Sequence, residues 1–183
     1  MDFWYILGQI LGIVAIALGF ISYQVKTKRG LLLLQSLTSL VFCIHYGLIG
    51  AFSGMAMNSI GIFRNVVYER MNNKRSDEAR LSPVYVIVPV SFALVQGALC
   101  ILTWEAWYSV FVFLGIIIHT LCISFRNPQN VRKSILVTSP LVCVYDILAN
   151  SIGGAVYETV AVISSIIGIA RFKRVKRDST AKS

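Results

Sequence analysis

Five side chains stand out because their chemistry does not match their surroundings. Asp146 and Glu158 are carboxylates, Arg64 is a guanidinium, His45 an imidazole and Asn58 an amide; all five lie inside apolar runs or at their ends. An ionised group in hydrocarbon is disfavoured by ~2.5 kcal/mol or more, so it usually faces a cavity or a partner. Glu158 fits a proton or cation site. It also fits a carboxylate in the favourable field at the start of its own helix. Arg64 fits a substrate or counter-charge site, or a long side chain that snorkels out or pairs structurally. Asp146 is a site residue or a near-interface group satisfied by water. His45 is a proton relay or a hydrogen-bonded helix-end imidazole. Asn58 suits a polar solute, and equally suits a bond between helices. Together the five could line one substrate cavity.

Other chemistries find no support. Cys43, Cys100, Cys122 and Cys143 fall inside apolar runs with no CxxC pair or metal-ligand spacing, so they read as small apolar residues. No metal site or cofactor is expected. Ser and Cys lack a His and a carboxylate at matching depth, and neither HExxH nor a Gly-rich phosphate loop occurs. His45 and His119 fall at opposite depths. An enzyme is not expected.

The elements that must carry these residues are membrane helices. Apolar residues make up 56% of the 183, charged residues only 14%, and apolar runs near span length recur along the chain. Seven spans are expected: about 4–23, 31–49, 54–68, 84–102, 107–125, 134–149 and 155–172. The first has no basic leader or cleavage site and reads as a retained span. The third, sixth and seventh are short for a bilayer core of ~30 Å at ~1.5 Å per residue, so they should borrow turns from their flanks, or the bilayer thins locally.

The charge pattern supports this count. With seven alternating spans, one side receives Lys26, Lys28 and Arg29, then Arg70, Lys74, Arg75 and Arg80. It also receives Arg126, Arg132 and Lys133, then a tail from Arg171 to Lys182. Only Arg64 of the 17 basic residues falls elsewhere, inside a span. Basic loops stay in the cytoplasm, so the N-terminus should lie outside and the C-terminus inside. A net charge of +9 is then a mark of topology and not of nucleic-acid binding. Trp4, Trp104 and Trp107 gather at the opposite face as interfacial anchors.

The chain carries an internal echo. Cys43-x-His45-Tyr46 matches Cys143-x-Tyr145-Asp146; Gly54 and Gly154 follow at equal spacing, then Asn58 and Glu158. Two triple-helix repeats around one linker helix follow: residues 1–70, a cytoplasmic loop 71–80, the linker 81–103, the second repeat 104–172 and a basic tail 173–183. An odd number of helices would invert a direct repeat; the linker restores it, so both repeats run parallel. The fold expected is one all-α membrane domain of 3+1+3 helices.

This layout resembles the SWEET, semiSWEET and PQ-loop transporters. Residues Phe20 to Lys26 resemble their first-helix PQ segment, with Tyr23 in the Pro position. Pro128-Gln129 is a literal PQ, placed at a helix end. That family lines its sugar pocket with an Asn on the third helix of each triplet; Asn58 matches and Glu158 replaces the second. Cys43 and Cys143 stand near the position of its pocket Trp, a departure from a sugar site. Across nearly the whole chain the sequence resembles the bacterial inner-membrane YgjV family. The shared pieces are His45-Tyr46 with Gly50, Arg64, Ser151-Ile152-Gly153-Gly154 with Glu158, and Ile169-Ala170-Arg171-Phe172. The resemblance implies an inner-membrane location.

The expected function is transport of a small polar solute by alternating access, with Asn58, Glu158, Arg64, Asp146 and His45 at the site. Glu158 in place of Asn predicts pH dependence, or a cationic or polyol solute. The alternative is a scaffold or receptor-type subunit with a closed core. A cavity under ~300 Å³, or an ion pair from Arg64 to Glu158 or Asp146, would favour it. The partners expected are the lipid bilayer and the solute, with homo-oligomerisation open.

Overall fold

The computed structural model describes residues 3–74, 83–125 and 127–180, all helical apart from short connections. The helices are α1 (Phe3–Gln24), α2 (Lys28–Ile49), α3 (Phe52–Lys74), α4 (Val84–Leu102), α5 (Ser109–Ile123), α6 (Pro128–Leu148) and α7 (Ile152–Thr180). Each expected span has its helix, and the three short ones do extend into their flanks. The third gains a C-terminal turn and a half through Lys74, so the expected 71–80 loop begins as helix. Pro128 stands at the first position of α6, where its missing N–H costs nothing, and the Asn127 side chain accepts from Gln129 N at 2.9 Å. Arg75, Arg80, Arg126 and Lys182, used in the charge argument, lie outside the described residues.

Successive helices run in opposite directions. One end of the bundle holds the α2–α3 and α6–α7 turns; the other holds Lys28 and Arg132. Around the bundle, α2 packs between α1 and α3, α6 packs between α5 and α7, α1 meets α7, and α4 leans on α3 and α5. The reason is legible along α1. Gly8, Gly12, Ala15 and Gly19 form a stripe of small residues at helical spacing, all buried. A Cβ on Gly12 would lie 2.9 Å from the Gly153 Cα, so the α1 and α7 backbones nearly touch. The opposite face of α1 presents Ile6, Ile10, Ile13, Phe20 and Ile21 outward.

That inversion holds throughout. Among the described residues, buried polar and charged side chains outnumber buried apolar ones, while large apolar side chains cover the outside. Such a surface is stable against lipid, not water. Four segments are long and apolar enough to cross a membrane: Ile6–Gln24, Lys28–Ile49, Val84–Leu102 and Ile152–Phe172. Helix α5 is apolar but has 15 residues. Helices α3 and α6 fall short because Asn58, Arg64, Asn65, Arg132 and Asp146 interrupt them, the residues of most interest here. Trp4, Trp104 and Trp107 are all exposed near the turn end, where anchors at an interface belong.

Candidate functional site

The two turns are built alike, one hundred residues apart. Ala51 N donates to Tyr46 O at 2.9 Å, and Ser151 N donates to Asp146 O at 2.8 Å. The turn residues Gly50 and Asn150 both take left-handed backbone, at φ 78° and 56°. Glycine does so without strain, and Asn is among the few side chains that tolerate it.

From these turns the side chains cross over. His45 Nδ1 donates to Gly8 O at 2.7 Å, which leaves Nε2 to accept from Ser151 Oγ at 2.8 Å. Ser151 Oγ in turn accepts from Gly154 N at 3.1 Å. At the matching position Tyr145 Oη accepts from Gly54 N at 2.9 Å, while Glu105 Oε1 accepts from Ser53 N at 2.7 Å. The Ser53 hydroxyl donates to the Thr103 carbonyl. Gly153 N goes to Gln9 Oε1 at 3.0 Å. The first-turn N–H groups of α3 and α7 are thus satisfied by distant side chains and by Ser151. Glu158 caps neither helix.

Between these turns and the basic end lies a cavity of about 100 Å³, lined by every helix except α4. That is room for several waters or a few heavy atoms, and it is below the ~300 Å³ usual for a ligand site. Three of the five expected residues line it: Asn58, Arg64 and Glu158. Asn58 Nδ2 is turned back to Gly54 O at 3.0 Å, so its oxygen remains for the cavity. Arg64 is 4% exposed and held by neutral groups. Its Nε and Nη2 donate to Asn65 Oδ1 at 3.1 and 3.0 Å, and its Nη1 to Thr120 Oγ1 at 2.8 Å. Thr120 passes its own proton to Gln96 Oε1 at 2.8 Å. Glu158 faces the Ser139 hydroxyl. Arg64 forms no ion pair with Glu158 or Asp146; among the described residues the ion pair is Arg29–Glu69 on the surface, at 3.0 Å.

His45 and Asp146 stand outside the cavity lining. Asp146 sits behind Tyr46, whose hydroxyl donates to its Oδ1 at 2.5 Å, and its Oδ2 has no hydrogen-bond partner. Sequence reasoning missed Gln35, Asn65 and His119 on the cavity wall. Gln35, Thr38 and Ser39 recur at helical spacing in an apolar run, a signal that could have found that wall of the cavity.

The basic end is laced the same way. Lys28 Nζ donates to Ile123 O at 2.6 Å and Phe125 O at 2.9 Å, capping α5. Arg132 Nε donates to Tyr23 O at 2.9 Å and its Nη2 to Val25 O at 2.7 Å, capping α1. A cation on the free carbonyls of a helix end is favourable.

The family model described as bacterial inner membrane protein, Imp-YgjV, matches residues 6–176, and the chain belongs to that family. Comparison with curated proteins and with solved structures finds no match. No comparison therefore supports the SWEET or PQ-loop relation. With its apolar outer surface, the protein is a multi-pass protein of the bacterial inner membrane.

Proposed function

We propose that this inner membrane protein moves a small polar solute by alternating access, in the manner of the SWEET transporters. The two triple-helix units, α1–α3 and α5–α7, rock against each other about the central cavity, with α4 as the linker. All seven helices cross the bilayer, the N-terminus lies outside and the C-terminus inside. The observation that carries this reading is a cavity with polar lining from α1–α3 and α5–α7, holding a cation and a carboxylate that do not neutralise each other. A protein that needed only a closed core would gain by pairing or replacing them. Asn58 and Glu158 hold the solute, and Arg64 balances charge. The turn-end and basic-end networks act as the two gates, and the cavity between them is an occluded state.

Uptake into proteoliposomes tests this. Tyr23, Tyr46, Tyr157, Cys143 and Asp146 on the surrounding helices feel the charge of Glu158. Protonating it removes the charge that attracts a cationic group, so uptake should fall as pH falls. Glu158→Gln should flatten that dependence; equal flux by both proteins at every pH would remove Glu158 from the solute site. The second reading, a scaffold or receptor-type subunit without enzymatic activity, draws on the small cavity volume. Absence of uptake for all classes of small solute would favour it.

A further inference from the structure

Resting on the transport reading, we propose that the solute is a small zwitterion. Its anionic group would bind at Arg64 and Asn65, its cationic group at Glu158 and Asn58. Donors and acceptors around the cavity can be counted. A guanidinium has five N–H groups. Three are spent on Asn65 and Thr120, so two remain on a side chain that the Thr120–Gln96 relay fixes in place. Beside them, Asn65 Nδ2 is buried with no partner, on a residue 1% exposed. This part of the wall offers unspent donors.

Elsewhere on the wall acceptors are unspent. Glu158 is a carboxylate without a cation. Asn58 gives one of its two amide N–H groups to Gly54 O and keeps its oxygen. Gln35 gives its Nε2 to Tyr23 Oη at 3.2 Å, and its Oε1 is buried without a partner. Orphaned buried polar atoms are costly, and the two on the cavity lining are one donor, Asn65 Nδ2, and one acceptor, Gln35 Oε1. A carboxylate solute alone would leave Glu158 unanswered, and an amine alone would leave Arg64 unanswered. A molecule carrying both answers both.

The spacing and size agree. Arg64 Nη2 lies 3.9 Å from where a Cβ on Gly61 would be, so the guanidinium folds back along α3 toward Asn58. Gly61 and Asn58 are ~4.5 Å apart along the axis. The Arg64 guanidinium and Asn58 thus stand about one helical turn apart on the wall that Glu158 also lines. A cavity of about 100 Å³ limits the solute to a few heavy atoms. Phe42 and Tyr157, with ring centroids 4.6 Å apart, stand in the cavity wall and suit the flank of an ammonium.

The test is calorimetric titration of the detergent-purified protein with L-alanine, ethylamine, propionate, lactamide and erythritol. Uptake of the same five into proteoliposomes runs in parallel. Alanine should bind. Ethylamine and propionate should each bind about tenfold more weakly or worse, the factor one charge-assisted hydrogen bond supplies. Arg64→Gln should erase the advantage of alanine over ethylamine, and Glu158→Gln its advantage over propionate. If the variants do not fold, the wild-type ranking decides. Equal binding by ethylamine or propionate, or preference for lactamide or erythritol, overturns the zwitterion and leaves transport standing. No binding and no uptake of any of the five overturns the zwitterion; extending the failure to every solute class would overturn transport as well.

Discussion

The α2–α3 and α6–α7 turns share a backbone and differ in how they are held. Both close with the same hydrogen bond, and both spend one left-handed residue to do so. The second turn brings its own cap, Ser151, whose hydroxyl His45 orients from α2. The first has Ala51 at that position and borrows Tyr145 and Glu105 instead. A helix start needs acceptors for its free N–H groups, but nothing requires them to come from its own chain neighbours. Where they come from decides what each turn is tied to.

The largest test of this difference is at the two matched glycines. A Cβ on Gly154 would lie 2.5 Å from both Asp146 Oδ1 and Ser151 Oγ, whereas on Gly54 it would meet the Tyr46 ring at 2.9 Å. Gly154→Ala should cost ~3 kcal/mol and Gly54→Ala ~1–2 kcal/mol, seen as unequal losses of thermal stability in detergent. Equal losses would mean the two turns are held alike. Next, Tyr145→Phe strands the Gly54 N–H and should cost ~1–2 kcal/mol. Hydrogen exchange should quicken at the start of α3 and not of α7; protection unchanged at Gly54 would break the borrowed-cap account. The smallest effects lie at the left-handed positions. Gly50→Ala should cost ~1 kcal/mol, while Asn150→Gly, which keeps the left-handed backbone, reads out what the Asn side chain adds. A loss at Asn150→Gly would show that its side chain, and not its backbone, secures the second turn.

Helix number, the register of one hundred residues, and Asn58, Arg64 and Glu158 on the cavity were legible in the sequence. Apolar run length gives the depth of a residue, and depth was enough for these three. Depth was not enough for His45 and Asp146, because it leaves open which neighbour a side chain meets. Asp146 ends a helix whose Thr138 and Val142 do face the cavity, yet Tyr46 stands in front of it. Lys28 and Arg132 show the same limit in another form. Counted as marks of a cytoplasmic loop, they are also buried caps of helices 95 and 109 residues away along the chain. A charge tally cannot tell a side chain that reaches water from one that turns inward. His119 stands on the cavity wall and His45 does not. The His119 Nδ1 is engaged by Ser134 Oγ at 3.0 Å.

The bond between Tyr46 and Asp146 joins residues at the same place in the two registers. On the proposed two-unit reading, positions that meet their own counterpart lie close to the axis relating the units. Were the first unit to pair with a copy of itself, two tyrosines would face each other there. Were the second to do so, two carboxylates would share a dry pocket, an arrangement in which like charges repel strongly. Only the unlike pair supplies one proton donor and one acceptor. On the proposed two-unit reading, the chain is in effect a heterodimer written as one polypeptide, and neither partner is equipped to be its own mate.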